Sequence, residues 1–177
     1  MTQRIDEKFL NLALNLSRKN IGITQENPAV GCVIVKNNVI ISTGITAKNG
    51  RPHAEIEAIN KISDKNILAG ATLYVSLEPC SHFGKTSPCV DEIIKNKFAR
   101  VVICAIDPDQ RVCGNGIKIL QNSGIKVEVG FFEKEAQNIN RDFFQARIKN
   151  KPFVTLKIAT SIDGKIATKN FQSKWIT

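Results

Sequence analysis

One histidine and two cysteines, His53, Cys80 and Cys89, carry the chemistry that this 177-residue chain could perform. They stand in the runs PHAEIEAI (52–59) and SLEPCSHFGKTSPCVDEII (76–94). An imidazole nitrogen and two thiolates make a mixed N/S donor set that suits zinc and leaves the fourth tetrahedral position to water. A zinc held that way is catalytic rather than structural, because structural sites close all four positions with protein ligands. Glu55, two residues after the histidine, is placed to move protons at that water without binding the metal. Each half of the pattern is weak by itself, since His-x-Glu arises by chance and two cysteines are commonly small buried hydrophobes. Together they agree on more: Pro52 precedes the histidine, Pro79 precedes the first cysteine, and each run opens a stretch patterned as a helix.

The elements that must position these residues alternate along the chain. Residues 4–19 place Ile5, Phe9, Leu12, Ala13 and Leu16 at helical spacing, which predicts one amphipathic helix. After Asn27-Pro28, the runs VGCVIVK and VIISTGI flank Asn37-Asn38 and predict a hairpin at one edge of a sheet. Pro52 predicts the start of a buried helix with His53 and Glu55 in its first turn. ATLYVSLEP predicts a strand running into Cys80, and PCVDEIIKNK a helix whose second residue is Cys89. Helix N-termini carry partial positive charge that favours thiolate over thiol, so donors and helix starts are expected to meet at one point. Strand ARVVICAI, loop DPDQRVCGNG, helix IKILQNSG and strand IKVEVG then predict a parallel crossover. One helix is expected over 133–149. Beyond Lys151-Pro152 come a strand, FVTLKIAT, an Asp-Gly turn and a polar run, which divides the chain into a domain over 1–150 and a remainder over 151–177.

Composition narrows the class. At 42% hydrophobic the chain buries one good core, and no apolar run is long enough to span a membrane. The N-terminus MTQRIDEKFLNLALNL mixes acidic residues into an amphipathic pattern unlike a signal peptide, so the expected location is the cytoplasm. Five cysteines, two of them claimed by the metal, fit a reducing compartment better than a disulfide framework. Cys32, Cys104 and Cys113 are expected in the core or near the site. Of the net charge of +9, +4 lies in residues 151–177, which hold five lysines and one aspartate. No basic block or aromatic-interleaved stripe marks a nucleic-acid surface, and a phosphorylated small substrate explains the charge as well.

Asn27-Pro28-Ala29-Val30-Gly31, His53-Ala54-Glu55, the run over 78–89 and Asp107-Pro108 together resemble the bifunctional riboflavin-biosynthesis deaminase/reductase family, over essentially the whole chain. In the wider cytidine-deaminase-like superfamily two residues usually separate the cysteines, and the insertion over 81–88 is the feature that points to the riboflavin enzymes. The resemblance implies an α/β fold of three layers, α-β-α, with about five strands in a mixed sheet and helices on both faces. It implies hydrolytic deamination of 2,5-diamino-6-(5-phosphoribosylamino)pyrimidin-4(3H)-one to 5-amino-6-(5-phosphoribosylamino)uracil, Glu55 passing protons to the departing ammonia. It also implies that Asn27 contacts the substrate, that Ser81, His82, Lys85 and Thr86 surround its phosphate and ribose, and that Asp107 and Asp109 lie near it. Lys85 suits the phosphate as a flexible point charge. The chain departs from the family at Thr46, where many members carry histidine, and at Gln110, which replaces a proline; both departures bear on substrate contacts.

The tail over 152–177 looks like the opening of that family's reductase domain. There Ala159 and Trp175 match positions that contact NADPH, and Ser173 one that contacts the reductase substrate. A dinucleotide-binding domain needs on the order of 100 residues to form its crevice. Deaminase activity is therefore expected without the reductase step and without NADPH binding, in a chain that forms a homodimer. Two other readings stay open. A nucleotide or tRNA base deaminase would use the same metal and glutamate but needs neither the insertion nor the tail. An RNA-binding module would hold zinc structurally, yet no fourth ligand stands near the three.

Overall fold

A computed structural model describes residues 2–84 and 86–173. Helix α1 (Thr2–Ser17) buries Phe9, Leu10, Ala13 and Leu14 along one face. The stripe is turned slightly from the predicted one, with Leu10 and Leu14 at its centre and Ile5, Leu12 and Leu16 half-buried at its margins. Strands β1 (Gly31–Lys36) and β2 (Val39–Ile45) form the predicted hairpin. Asn37 and Asn38 both take positive φ, 50° and 62°, the left-handed pair that a two-residue type I′ turn requires.

The chain continues through α2 (Ala54–Asn60), β3 (Thr72–Leu77), α3 (Cys89–Lys95), β4 (Arg100–Ala105), α4 (Asn115–Asn122) and β5 (Lys126–Val129). The sheet runs β2-β1-β3-β4-β5. β1 is antiparallel to both neighbours, while β3, β4 and β5 are parallel, so β2 is an edge and β4-α4-β5 is the predicted crossover. Helices α2, α3 and α4 pack side by side on one face, and α1 and α5 (Glu133–Ile139) cover the other. Covered twice, β1, β3 and β4 are apolar on both sides, with Val33, Ile34, Leu73, Val75, Val101 and Ile103 fully buried. A Cβ on Gly44 would lie 2.0 Å from the carbonyl oxygen of Ala54, and one on Gly31 2.0 Å from that of Ala13. Glycine there lets α2 and α1 settle onto the sheet backbone, and at Gly44 it fixes where the start of α2 stands.

The structure revises parts of the sequence reading. The helix predicted over 133–149 breaks at Asn140 into α5 and α6 (Arg141–Lys149). The buried Asn140 side chain accepts the Ala29 N–H at 2.7 Å and donates to the Ala29 carbonyl at 3.0 Å, a long-range pairing that periodicity cannot reveal. His53 and Cys89 each move by one position: His53 is the extended N-cap of α2, and Cys89 is the first residue of α3. FVTLKIAT is not a strand. It pairs with no other strand among the described residues, and without that ladder its backbone has no partner to define β structure. Val154, Leu156 and Ile158 are exposed, whereas Phe153 is held under the Arg141 guanidinium at 4.8 Å. The Asp-Gly turn is present, closed by the Gly164 N–H on the Ser161 carbonyl at 2.9 Å. Cys32 and Cys104 lie in the core, but Cys113 is exposed on the loop before α4. Among the described residues no helix is long and apolar enough to cross a membrane.

Candidate active site

β3 ends at Leu77, and Glu78-Pro79 carries the chain past the C-terminal end of the strand to Cys80. α3 begins at Cys89 behind Pro88, whose ring sets the N-cap backbone where a donor would go unpaired. Facing them, His53 caps α2. The donor atoms of His53, Cys80 and Cys89 lie within 4.8 Å of one another. His53 Nδ1 stands 3.3 Å from Cys89 Sγ and 3.5 Å from Cys80 Sγ. Donors around a tetrahedral zinc with ordinary Zn–N and Zn–S bonds lie about 3.6 Å apart. The three residues therefore fit zinc with little movement. The Cys89 thiol and then the His53 ring, both hydrogen-bonded to the Cys80 sulfur, hold Cys80 well below the usual thiol range. Cys89 is pushed up beside that sulfur, and His53 is raised by its bond to Cys80. The three thus share protons that a bound metal would displace.

Glu55, in the first turn of α2, is 3% exposed, and its carboxyl faces the Cys89 sulfur. Burial pushes this carboxyl up to about 7, with His53 pulling the other way. A divalent cation nearby would pull it back down toward the carboxylate, the form that accepts a proton.

A cavity of about 80 Å³ opens over these residues. Asn27, His82, Asp107 and Asp109 reach its wall together with His53, Glu55 and Cys80. Asn27 Nδ2 donates to the Gly50 carbonyl at 3.3 Å. His82 is half-buried, and its Nδ1 is fully covered without a hydrogen-bond partner. Asp107 accepts the Asp109 N–H at 2.8 Å, and burial pushes its carboxyl up to about 7. Asp109 goes the other way: Arg111 bonds its carboxylate at 2.9 and 2.6 Å and holds it well below the usual range, with Arg147 at 3.5 Å. Ser81 and Thr86 do not reach the wall; Thr86 is exposed, and its hydroxyl accepts a hydrogen bond from Arg51 Nη1. Lys85 and Trp175 lie outside the described residues. Ala159 and Ser173 sit on the tail, half-buried and exposed, and are not brought to this cavity.

Residues from farther along the chain complete the site, and the sequence reading missed their roles. The buried Glu78 carboxylate accepts the N–H groups of Asp107 at 3.2 Å, Gly114 at 2.9 Å and Ile117 at 3.3 Å. It thereby ties the β4-α4 loop and the start of α4 to the segment that delivers Cys80, and an anion at a helix start is favourable. Thr46 Oγ1 donates to the Pro28 carbonyl at 3.0 Å and accepts the Val30 N–H at 2.9 Å. At this departure from the family, then, threonine clamps the turn that carries Asn27. Gln110 is exposed and off the cavity wall. Arg51, Arg111, Phe143 and Arg147 line the cavity as well. Arg51 precedes His53 by two residues and was within reach of a motif reading. Phe143 and Arg147 come from α6, and no local spacing links them to the metal donors.

A histidine and two cysteines able to hold zinc, with a buried glutamate beside them at the end of a three-layer mixed sheet, are what a zinc-dependent deaminase domain presents. The chain belongs to the family described as "Cytidine and deoxycytidylate deaminase zinc-binding region", which matches residues 3–105. It is 46% identical over 177 residues to "Riboflavin biosynthesis protein RibD" of Aquifex aeolicus (strain VF5), covering 100% of this chain and 49% of the relative. The Escherichia coli (strain K12) protein of the same name is 41% identical over 172 residues, with 97% of this chain and 46% of the relative covered. Among solved structures, the diaminohydroxyphosphoribosylaminopyrimidine deaminase/5-amino-6-(5-phosphoribosylamino)uracil reductase of Thermotoga maritima matches with a TM-score of 0.90 at 41% identity, covering 100% of this chain and 51% of that one. The resemblance read from the motifs therefore holds, and the chain spans about half the length of the curated relatives it matches.

Proposed function

We propose that this chain deaminates 2,5-diamino-6-(5-phosphoribosylamino)pyrimidin-4(3H)-one hydrolytically, releasing ammonia and 5-amino-6-(5-phosphoribosylamino)uracil. The observation that carries the reading is the convergence of His53, Cys80 and Cys89 at one point, where His53, Cys80 and the buried Glu55 line the wall of the cavity. The substrate is taken from the name of the Thermotoga maritima relative. Zinc, when bound by the three donors, supplies the Lewis acidity that makes water nucleophilic near neutral pH. Glu55 would carry one proton from the attacking water to the ring nitrogen as the C–O bond forms, and a second from the new hydroxyl to the amine as the C–N bond breaks, leaving the ring carbonyl and ammonia. Its burial confines this exchange to groups inside the cavity. Asn27 and His82 offer hydrogen bonds to the ring edge and ribose, and Asp107, kept partly protonated by burial, can donate as well as accept. A reducing, cytoplasmic setting keeps Cys80 and Cys89 available as donors. Residues 151–177 are in this reading the opening of a reductase domain, and those described take no part in the deaminase cavity.

The test offers zinc-loaded protein four compounds: the phosphorylated diaminopyrimidine, its dephosphorylated form, dCMP and cytidine. Ammonia release is followed for each. Preferred turnover of the first supports the reading; turnover of dCMP or cytidine alone, or none by zinc-replete protein, refutes it.

A further inference from the structure

We propose that Arg51 forms the anion subsite of the active cavity and takes the phosphate monoester of the substrate, an inference that rests on the phosphorylated pyrimidine proposed above. Three arginines reach the cavity wall. Arg111 and Arg147 are both turned to the one Asp109 carboxylate, at 2.6 and 3.5 Å, which offsets part of their charge and holds their guanidiniums there. Arg51 is half-buried and has no ion-pair partner among the described residues. A partly desolvated guanidinium without a counter-charge gains most when an anion arrives.

Its surroundings suit a phosphate in particular. Arg51 Nη1 donates to the Thr86 hydroxyl. A Cβ built on Gly84 would lie 3.4 Å from Arg51 Nη2 and 4.0 Å from His82 Nε2, so the guanidinium and the imidazole flank the same side-chain-free point of the insertion. Thr86 occupies one of five guanidinium N–H donors, and the fork retains enough to grip two phosphate oxygens at once. Because Arg51 stands two residues before His53, a phosphate held there extends from a ring whose amine lies over the metal donors. In this arrangement Arg51 selects the nucleotide over its nucleoside.

The test uses the zinc-loaded chain. Calorimetry with ribose 5-phosphate requires no turnover: the wild type binds it, Arg51→Ala weakens binding about ten- to hundred-fold, and Arg51→Lys restores part of the loss. In steady state Arg51→Ala raises KM for the phosphorylated pyrimidine by a similar factor, with kcat little changed and the dephosphorylated compound unaffected. Equal losses on both compounds, or reduced zinc content, would assign Arg51 to holding the insertion in shape and overturn the subsite. Unchanged ribose 5-phosphate binding in Arg51→Ala, or none by the wild type, overturns it too. If ribose 5-phosphate binds through Arg51 while no pyrimidine is turned over, the subsite stands and the substrate assignment falls.

Discussion

Two positions in the chain separate His53 from Glu55, and that short distance divides their roles. His53 keeps an extended backbone as the N-cap of α2 and turns its ring toward the two sulfurs, while Glu55 is already helical and buried. Glu55→Gln preserves shape and leaves all three donors in place. The variant is expected to hold one zinc per chain and to lose about 10²- to 10⁴-fold in kcat, the usual worth of a positioned acid-base group. Metal analysis and ammonia release on one preparation check this; near wild-type turnover, or loss of zinc, would contradict the assigned role. That His53, Cys80 and Cys89 would converge was legible in the sequence because each sits in a short motif directly behind a proline. Arg51 stood within reach of the same motif, but what sets it apart from Arg111 and Arg147 was not legible, because Asp109 pairs with those two only in the folded chain.

The hairpin, the central strands and the crossover were readable because their signals are local: Asn37-Asn38 for a left-handed turn, continuous apolar runs for strands covered on both faces. The break between α5 and α6 was not, since its cause lies 111 residues away along the chain at Ala29. Asn140 uses both ends of its amide on one buried backbone unit, so Asn140→Ala strands an N–H and a carbonyl together. A cost of about 2–4 kcal/mol is expected, measured by urea unfolding of the zinc-loaded protein. Asn27 stands two residues before Ala29 and lines the cavity, so the same variant should raise KM more than it lowers kcat. Stability within about 0.5 kcal/mol of the wild type would show that the pairing contributes nothing. Asn140→Asp tests the geometry separately, because a carboxylate keeps the acceptor toward the Ala29 N–H and loses the donor toward its carbonyl.

Across the whole molecule the two ends of the sheet do different work. Metal donors and cavity gather where β3 and β4 end, while Arg100, at the start of β4, binds the domain together at the other end. Its guanidinium grips Asp6 of α1 at 2.8 and 2.7 Å and Glu128 of β5 at 3.1 and 2.8 Å, and the Tyr74 hydroxyl of β3 donates to Asp6 at 2.7 Å. Arg100 holds the Asp6 carboxyl below the usual carboxylate range. A depressed carboxyl stabilises the fold above the unfolded value near 4, and that contribution is lost as pH falls through the folded value. Asp6→Ala should therefore cost about 3–5 kcal/mol at pH 7, and the gap from the wild type should narrow below pH 4; an unchanging gap would rule out the ion pair as its source. The tail belongs to neither end. Val154, Leu156 and Ile158 are 80, 78 and 59% exposed on a stretch that pairs with no strand among the described residues, so its apolar side chains lie open to water. A dinucleotide crevice is assembled from several parallel strands and crossover helices, and the described residues of the tail form neither. Calorimetric titration of the 177-residue chain with NADPH is thus expected to show no saturable binding, and NADPH is expected to stay reduced when the deaminated product is added. Saturable binding with turnover would mean that residues 152–177 complete a nucleotide site, and the exposed row of Val154, Leu156 and Ile158 would then be the place to look for the strands that join them.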